Sequence, residues 1–171
     1  VKDLDPPWLV AARSHVGLRE ITGPKHELRI VRMWESIKAP FRDDETPWCA
    51  AFVGAMLEQS GIRSTRSAAA RSYAKWGTKI DPPAVGAIVV FSRPGSAWSG
   101  HVGFVVGRDS AGNVMCLGGN QGNEVNTKAF PQSRVISYHW PTERLDLLEA
   151  SKVRFPLPLL ASNGQLSNNE A

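Results

Sequence analysis

Cysteine is scarce in this sequence: two residues, Cys49 and Cys116, in a chain of 171. That excludes a small domain stapled by several disulfides and a zinc site built from four thiolates. No apolar run is long enough to span a membrane, and the N-terminal VKDLDPPWLV has no apolar core of the kind a signal peptide carries. A leader already removed, or export by another route, would leave no mark on these residues. Lysine and arginine (20, against 16 Asp and Glu) are scattered, not grouped into blocks or interleaved with aromatics. The net charge of +4 is therefore read as ordinary solubility charge, and nucleic acid is not expected as a partner. GGNQGN is rich in glycine but is followed by neither a helix nor a βαβ unit, so it is not a dinucleotide fingerprint. There is no internal repeat. The length suits one domain able to bury a real core, and a monomer is expected.

What is present falls into two halves. PWLVAARSHVGLREI and KHELRIVRMWESI have apolar residues at helical spacing, and SAAARSYAKWG predicts a further short helix. From Pro82 the pattern changes to short β-branched runs between turn residues: GAIVVFSR, HVGFVVGR, NVMCLGGN and RVISYHWP. Helices first and an antiparallel sheet later predict an α+β fold. Residues 1–141 are read as the domain. Residues 142–171, rich in Pro, Ser and Asn, are read as a tail or linker whose FPLPLL could dock on the body.

Cys49 sits in TPWC, directly before the apolar run AAFVGAMLEQSG. Thr46 as N-cap and Pro47 at the first helical position predict a helix from about Pro47 to Ser60, with Cys49, Val53, Met56 and Leu57 as its apolar stripe. A thiol in the first turn meets unpaired N–H groups and the positive end of the helix dipole, so it is expected to ionise more readily than a free one. A thiolate hydrolase also needs an imidazole and a group that orients it. Of four histidines, His101 is the candidate, because it opens the predicted strand HVGFVVG behind the loop SRPGSAWSG, which is expected to be flexible.

The orienting partner follows from hairpin geometry. Closing the turn DSAG by pairing Arg108 with Asn113 sets His101 opposite Asn120, on the same face with Cβ atoms about 5 Å apart. A shift of one residue would substitute Gln121, and both remain open. Gly103, Gly107 and Gly118 lie along that face and leave room for the Cys49 helix to approach. Cys116 points to the same face but lies about 13 Å from Asn120, at roughly 3.3 Å per residue, so it is read as a core residue. Two cysteines alone also permit a Cys49–Cys116 disulfide.

With Cys, His and Asn in that order, the chain resembles the CHAP group of papain-like cysteine amidases and peptidases. PPWLVAARSHVGLREITGPKH, DDETPWCAAFV, GAIVVFSR, GHVGFVVG, LGGNQGNEVN and SRVISYHWP are similar to a group of phage and prophage peptidoglycan hydrolases, over about residues 6 to 141. The resemblance implies a papain-like fold, with Cys49 as nucleophile, His101 as base and acid, and Asn120 as the orienting residue. It implies bacterial peptidoglycan as partner, reached in the periplasm or outside the cell, and no cofactor. Relatives include both amidases that free the stem peptide and endopeptidases that cut within peptides. Some relatives bind calcium ahead of the cysteine. Here RDDE supplies acids without a clear ligand spacing, so a solvated acidic loop is expected and no metal.

The reaction expected is acyl transfer, with the Cys49 backbone N–H as one oxyanion donor. Asp43 and Asp44 are candidates for binding a substrate amino group, Trp48 and Trp98 for lining the cleft, and Gln121 for contacting substrate. Two other classes stay open. One is a thiol acyltransferase with the same triad; the other is a non-catalytic wall-binding module, against which the retention of all three site residues argues.

Overall fold

The computed structural model describes residues 4–163 and 165–170. Three helices come first: α1 (Pro7–Ser14), α2 (Leu28–Ser36) and α3 (Cys49–Gln59). Six strands follow: β1 (Thr78–Ile80), β2 (Ile88–Arg93), β3 (Ser96–Arg108), β4 (Val114–Gly118), β5 (Asn126–Phe130) and β6 (Val135–Trp140). They form one sheet in the order β1-β6-β2-β3-β4-β5, every pair antiparallel. The architecture is α+β and consistent with a papain-like fold. The stretch SAAARSYAKWG forms a 3₁₀ turn (Ala70–Lys75) instead of an α-helix.

The core lies between the sheet and α3, and α3 is its centre. Nine of its eleven residues, Cys49 through Leu57, are buried, so it is enclosed on all sides where an amphipathic helix with one apolar stripe was expected. Its start also differs from expectation. Asp43 organises the approach, its Oδ1 accepting from the N–H groups of Glu45 and Thr46 and its Oδ2 from the Thr46 hydroxyl. That closes a turn before the helix, so Thr46 is not the cap. Trp48 occupies the N-cap without a side-chain cap bond, and Cys49 is the first helical residue. The N–H groups of the first turn are thus left to whatever sits at the helix mouth.

Cys49 meets the sheet at β3. The segment before His101 is not a flexible loop: Pro94-Gly95 makes a two-residue turn, with Gly95 at φ 80°, and β3 runs from Ser96. Arg71 braces this hairpin by donating to the carbonyls of Ser99 and Ser96. His101 therefore lies inside a thirteen-residue strand, paired with Phe91 of β2. In the next hairpin Arg108 pairs with Val114, not Asn113, and a bulge between Val105 and Gly107 restores the expected pairing at Phe104–Leu117.

The chain beyond residue 141, expected as tail or linker, carries α4 (Leu145–Ser151) and continues across the body. The FPLPLL stretch docks on the end of β3: Arg108 donates its N–H to the Pro158 carbonyl and accepts from the Leu160 N–H, and Leu157 is buried. Gly107 is needed there because a Cβ would lie 2.6 Å from the Pro158 oxygen. The space beside Gly107 thus receives this segment and not α3, which packs on β3 through Phe52 and Phe104 and approaches the chain closely at Gly119, just beyond β4. A Cβ on Gly119 would lie 2.6 Å from Trp48 and 2.7 Å from Phe52.

Candidate active site

Cys49 and His101 are both buried, and the backbone amide of Val102, the residue after His101, acts on the Cys49 thiol in favour of its ionised form. The N–H groups of Cys49 and Ala50 bear on the same sulfur, as the uncapped helix start requires. They do not decide its ionisation. Burial acts most strongly and raises the thiol above its ordinary value, outweighing these amides and the positive field of Arg93. The expectation of an easily ionised thiol is thus corrected for the structure as it stands, with the sulfur covered.

The imidazole is oriented by Gln121, not Asn120. His101 Nε2 lies 2.9 Å from Gln121 Oε1. The amide of Gln121 cannot be turned the other way, because its Nε2 faces three acceptors: the carbonyl oxygens of Cys116 and Asn126 and the Asn126 side-chain oxygen. Its oxygen must face His101, so the histidine Nε2 carries the proton and donates it. The lone pair of the neutral ring is then on Nδ1, which has no hydrogen-bond partner among the described residues. Burial pushes the imidazole down to about 4, against the raising effects of the Gln121 bond and the Glu170 charge; Arg134 and Arg93 lower it further.

The reason for Gln121 lies in where β4 stops. The expected pairing holds at Phe104–Leu117, but the strand ends at Gly118 and the chain turns, with Asn120 in the left-handed region at φ 59°. It is the residue after Asn120 whose side chain reaches the ring. Gly118 makes the space, since a Cβ there would lie 2.5 Å from Gln121 Oε1 and 3.2 Å from His101 Nε2.

Flat side chains hold the ring on its flank. Phe130 stacks on His101 with centroids 5.3 Å apart and planes 11° apart, and Phe91 stacks on Phe130 at 4.2 Å. The guanidinium of Arg134 lies over Phe130, 5.3 Å from its centroid. Sequence reasoning passed over Phe91, Asn126, Phe130, Arg93, Arg134 and Glu170. Only Phe91 had a usable signal, as the cross-strand neighbour of His101.

The other predicted residues separate. Asp44 is fully buried: Oδ2 accepts from the N–H groups of Ile21 and Glu27, and Oδ1 pairs with His26 at 2.9 Å. Burial works against its charge, but these bonds outweigh it and hold the carboxyl below its usual range. Asp44 is a structural staple and not free to bind a substrate amine, while Asp43 is taken up by its turn. Of the RDDE stretch Arg42 and Glu45 are exposed, as expected of a solvated loop, and Asp44 is the residue that departs from that expectation. His26, Asp44 and Glu45 place ligand atoms within 4.8 Å of one another, but a cation there would compete with the His26–Asp44 bond that organises the loop. Trp48 is buried and donates to Glu20 at 2.7 Å, so it packs under the helix start and does not line a cleft. Trp98 stands 89% exposed on the β2–β3 hairpin. Both cysteines are free thiols, and Cys116 is buried in the core against Gly103. Of the remaining histidines, His15 bonds the Ala11 carbonyl and His139 meets Ser137.

No helix of the described residues is long and apolar enough to cross a membrane. No curated protein matches the chain. The CHAP domain model, however, matches residues 41–120, a span that holds both Cys49 and His101 and stops one residue short of Gln121. With that match laid on an α+β architecture that sets a cysteine at a helix start against a strand histidine, residues 41–120 are similar to a CHAP domain, the papain-like cysteine amidase/peptidase module that acts on peptidoglycan.

Proposed function

We propose that the protein is an endolysin-like peptidoglycan hydrolase that cuts an amide bond of the wall peptide through a Cys49–His101–Gln121 site. The observation that carries this reading is the fixed tautomer of His101. A ring whose Nε2 proton is committed to Gln121 offers a basic Nδ1, and the amide of the very next residue, Val102, favours the ionised form of the Cys49 thiol.

In the proposed reaction Nδ1 takes the thiol proton as the sulfur attacks the amide carbonyl. The backbone N–H of Cys49 supports the developing oxyanion, and His101 returns the proton to the departing amine, leaving a thioester. Water, deprotonated by His101, then hydrolyses the thioester to carboxylate and restores the thiol. Gln121 is a positioning residue: it keeps the ring in one tautomer and touches no reacting atom.

The bond is either the one joining the stem peptide to the glycan or one within the peptides. Digesting purified peptidoglycan and identifying the new termini by mass spectrometry tests the reading. New amino termini with matching carboxylates on the peptide, or lactyl carboxylates on the glycan, are expected. An intact wall after digestion with folded protein refutes it.

A further inference from the structure

Residues 165–170 do not hang free. Leu166 bridges Ala129 in parallel, the Ser167 N–H donates to the Ala129 carbonyl at 2.9 Å, and the Gly122 N–H donates to the Asn169 carbonyl at 2.6 Å. This segment therefore lies on the open side of β5, the edge strand of the sheet, as an extended peptide bound by main-chain hydrogen bonds. It delivers Glu170 into the protein, where that residue is buried. The Glu170 carboxylate pairs with the Arg134 guanidinium and accepts the Ser167 hydroxyl at 3.0 Å, and its main-chain carbonyl accepts from Arg93.

These two arginines belong to the neighbourhood of the reacting pair. The field of Arg93 reaches both Cys49 and His101, and that of Arg134 reaches His101. Arg134 is set in place before any anion arrives: its Nε donates to the Ser92 carbonyl at 2.9 Å and its plane covers Phe130, the ring stacked on His101. What remains of its guanidinium is a donor edge aimed at a carboxylate. Between the arginines and residues 166–170 runs a cavity of about 570 Å³, which the segment lines without filling.

We propose that Arg134 forms a carboxylate-binding subsite on the Phe130 flank of His101, with Arg93 holding a main-chain carbonyl beside it, and that residues 165–170 occupy this subsite as an internal pseudo-substrate. The ligand class is an extended peptide bearing a free carboxylate, held along β5 by its backbone and at Arg134 by its acid. Wall stem peptides have that chemistry, and to this extent the inference rests on the hydrolase reading. Displacing the segment frees the Arg134 edge and the Phe130 flank of His101, and on this proposal that opens the site to reagents from that side.

The test uses the full chain and two alkylating probes of similar size, neutral iodoacetamide and anionic iodoacetate. Glu170→Gln removes the acid, and Ser167→Pro independently removes the N–H that bonds Ala129. Each substitution is expected to speed alkylation of Cys49 by iodoacetamide about tenfold and to raise the iodoacetate-to-iodoacetamide rate ratio several-fold, since the freed Arg134 recruits the anion. Adding Arg134→Gln to Glu170→Gln should abolish the gain in ratio while keeping the gain in iodoacetamide rate. Unchanged alkylation in both single variants overturns the pseudo-substrate, and a ratio indifferent to Arg134 overturns the subsite. Wall digestion run in parallel separates the two readings. The alkylation pattern without wall cleavage by any variant refutes the hydrolase and keeps the subsite, whereas wall cleavage by the parent chain with flat alkylation does the reverse.

Discussion

His101 Nε2 and Gln121 Oε1 are 2.9 Å apart, and the three acceptors around the other end of the Gln121 amide allow only one direction for that hydrogen bond. A neutral glutamine thus sets which nitrogen of the ring is basic. The consequences of this relationship and of the groups around it are open to direct measurement.

Gln121→Ala should lower kcat by about ten- to a thousandfold with little change in KM, as expected of a positioning group. Because the Gln121 bond raises the imidazole, its loss should also move the histidine limb of the rate profile to lower pH, a shift that mere loosening of structure would not produce. Asn120→Gly, which tolerates the left-handed backbone at φ 59°, should stay within about threefold of the parent. The reverse ranking would return the orienting role to Asn120.

Gly118→Ala should inactivate the site while the domain stays folded. The added methyl would sit 2.5 Å from Gln121 Oε1 and must push that amide off His101. Turnover should fall about as far as in Gln121→Ala, and the two substitutions together should cost little more than either alone, which a double-mutant cycle reads directly.

Cys49→Ala should abolish activity and leave the circular dichroism spectrum unchanged, since an alanine fits the first turn of α3. Cys116→Ala should retain activity, at a stability cost of about 1 kcal/mol for the small cavity it leaves. A folded but inactive Cys116→Ala would overturn the choice of nucleophile.

Stability should fall on mild acidification because of His101. Its folded value of about 4 lies below the ordinary 6.5, so between these pH values the unfolded chain binds a proton that the folded chain refuses. The contribution is fully present above 6.5 and is lost as pH falls toward 4, amounting to about 2 kcal/mol at pH 5. Urea midpoints should therefore drop between pH 7 and pH 5 for the parent and much less for His101→Gln. A parallel decline in both would assign the acid sensitivity elsewhere.

Asp44→Ala should destabilise the fold by about 2–3 kcal/mol, because it strands the N–H groups of Ile21 and Glu27 and the ring of His26. The fraction that remains folded should keep its specific activity. A stable Asp44→Ala with a raised KM would make it a substrate contact after all.

Much of this protein was legible in the order of its residues. Apolar spacing located α1, α2 and α3, β-branched runs located β2, β3, β4 and β6, and the sequence alone singled out Cys49 and His101. These are local properties: a helix start, an alternating strand and a turn each need only a few adjacent residues. β1, β5 and α4 were not read, because Thr78–Ile80 and Asn126–Phe130 are too short and polar to carry a β pattern of their own and take their form from the neighbour they pair with.

The finer assignments depended on distances that local pattern does not encode. Whether Asn120 or Gln121 reaches His101 turned on a bulge near Val106 and on the strand ending at Gly118, each of which moves a side chain to another face. Asp43 and Asp44 looked alike as exposed acids until the fold buried one under three partners and folded the other into a turn. Arg93, Arg134 and Glu170 have no pattern in common along the chain; the sheet and the Phe130 ring seat the two arginines, and the packing of residues 165–170 against β5 brings Glu170 to them. Residue order thus chose the chemical groups, through short-range preferences. Tertiary structure chose which of them meet, because a one-residue register change or the docking of a distant segment costs little locally and redirects every side chain involved.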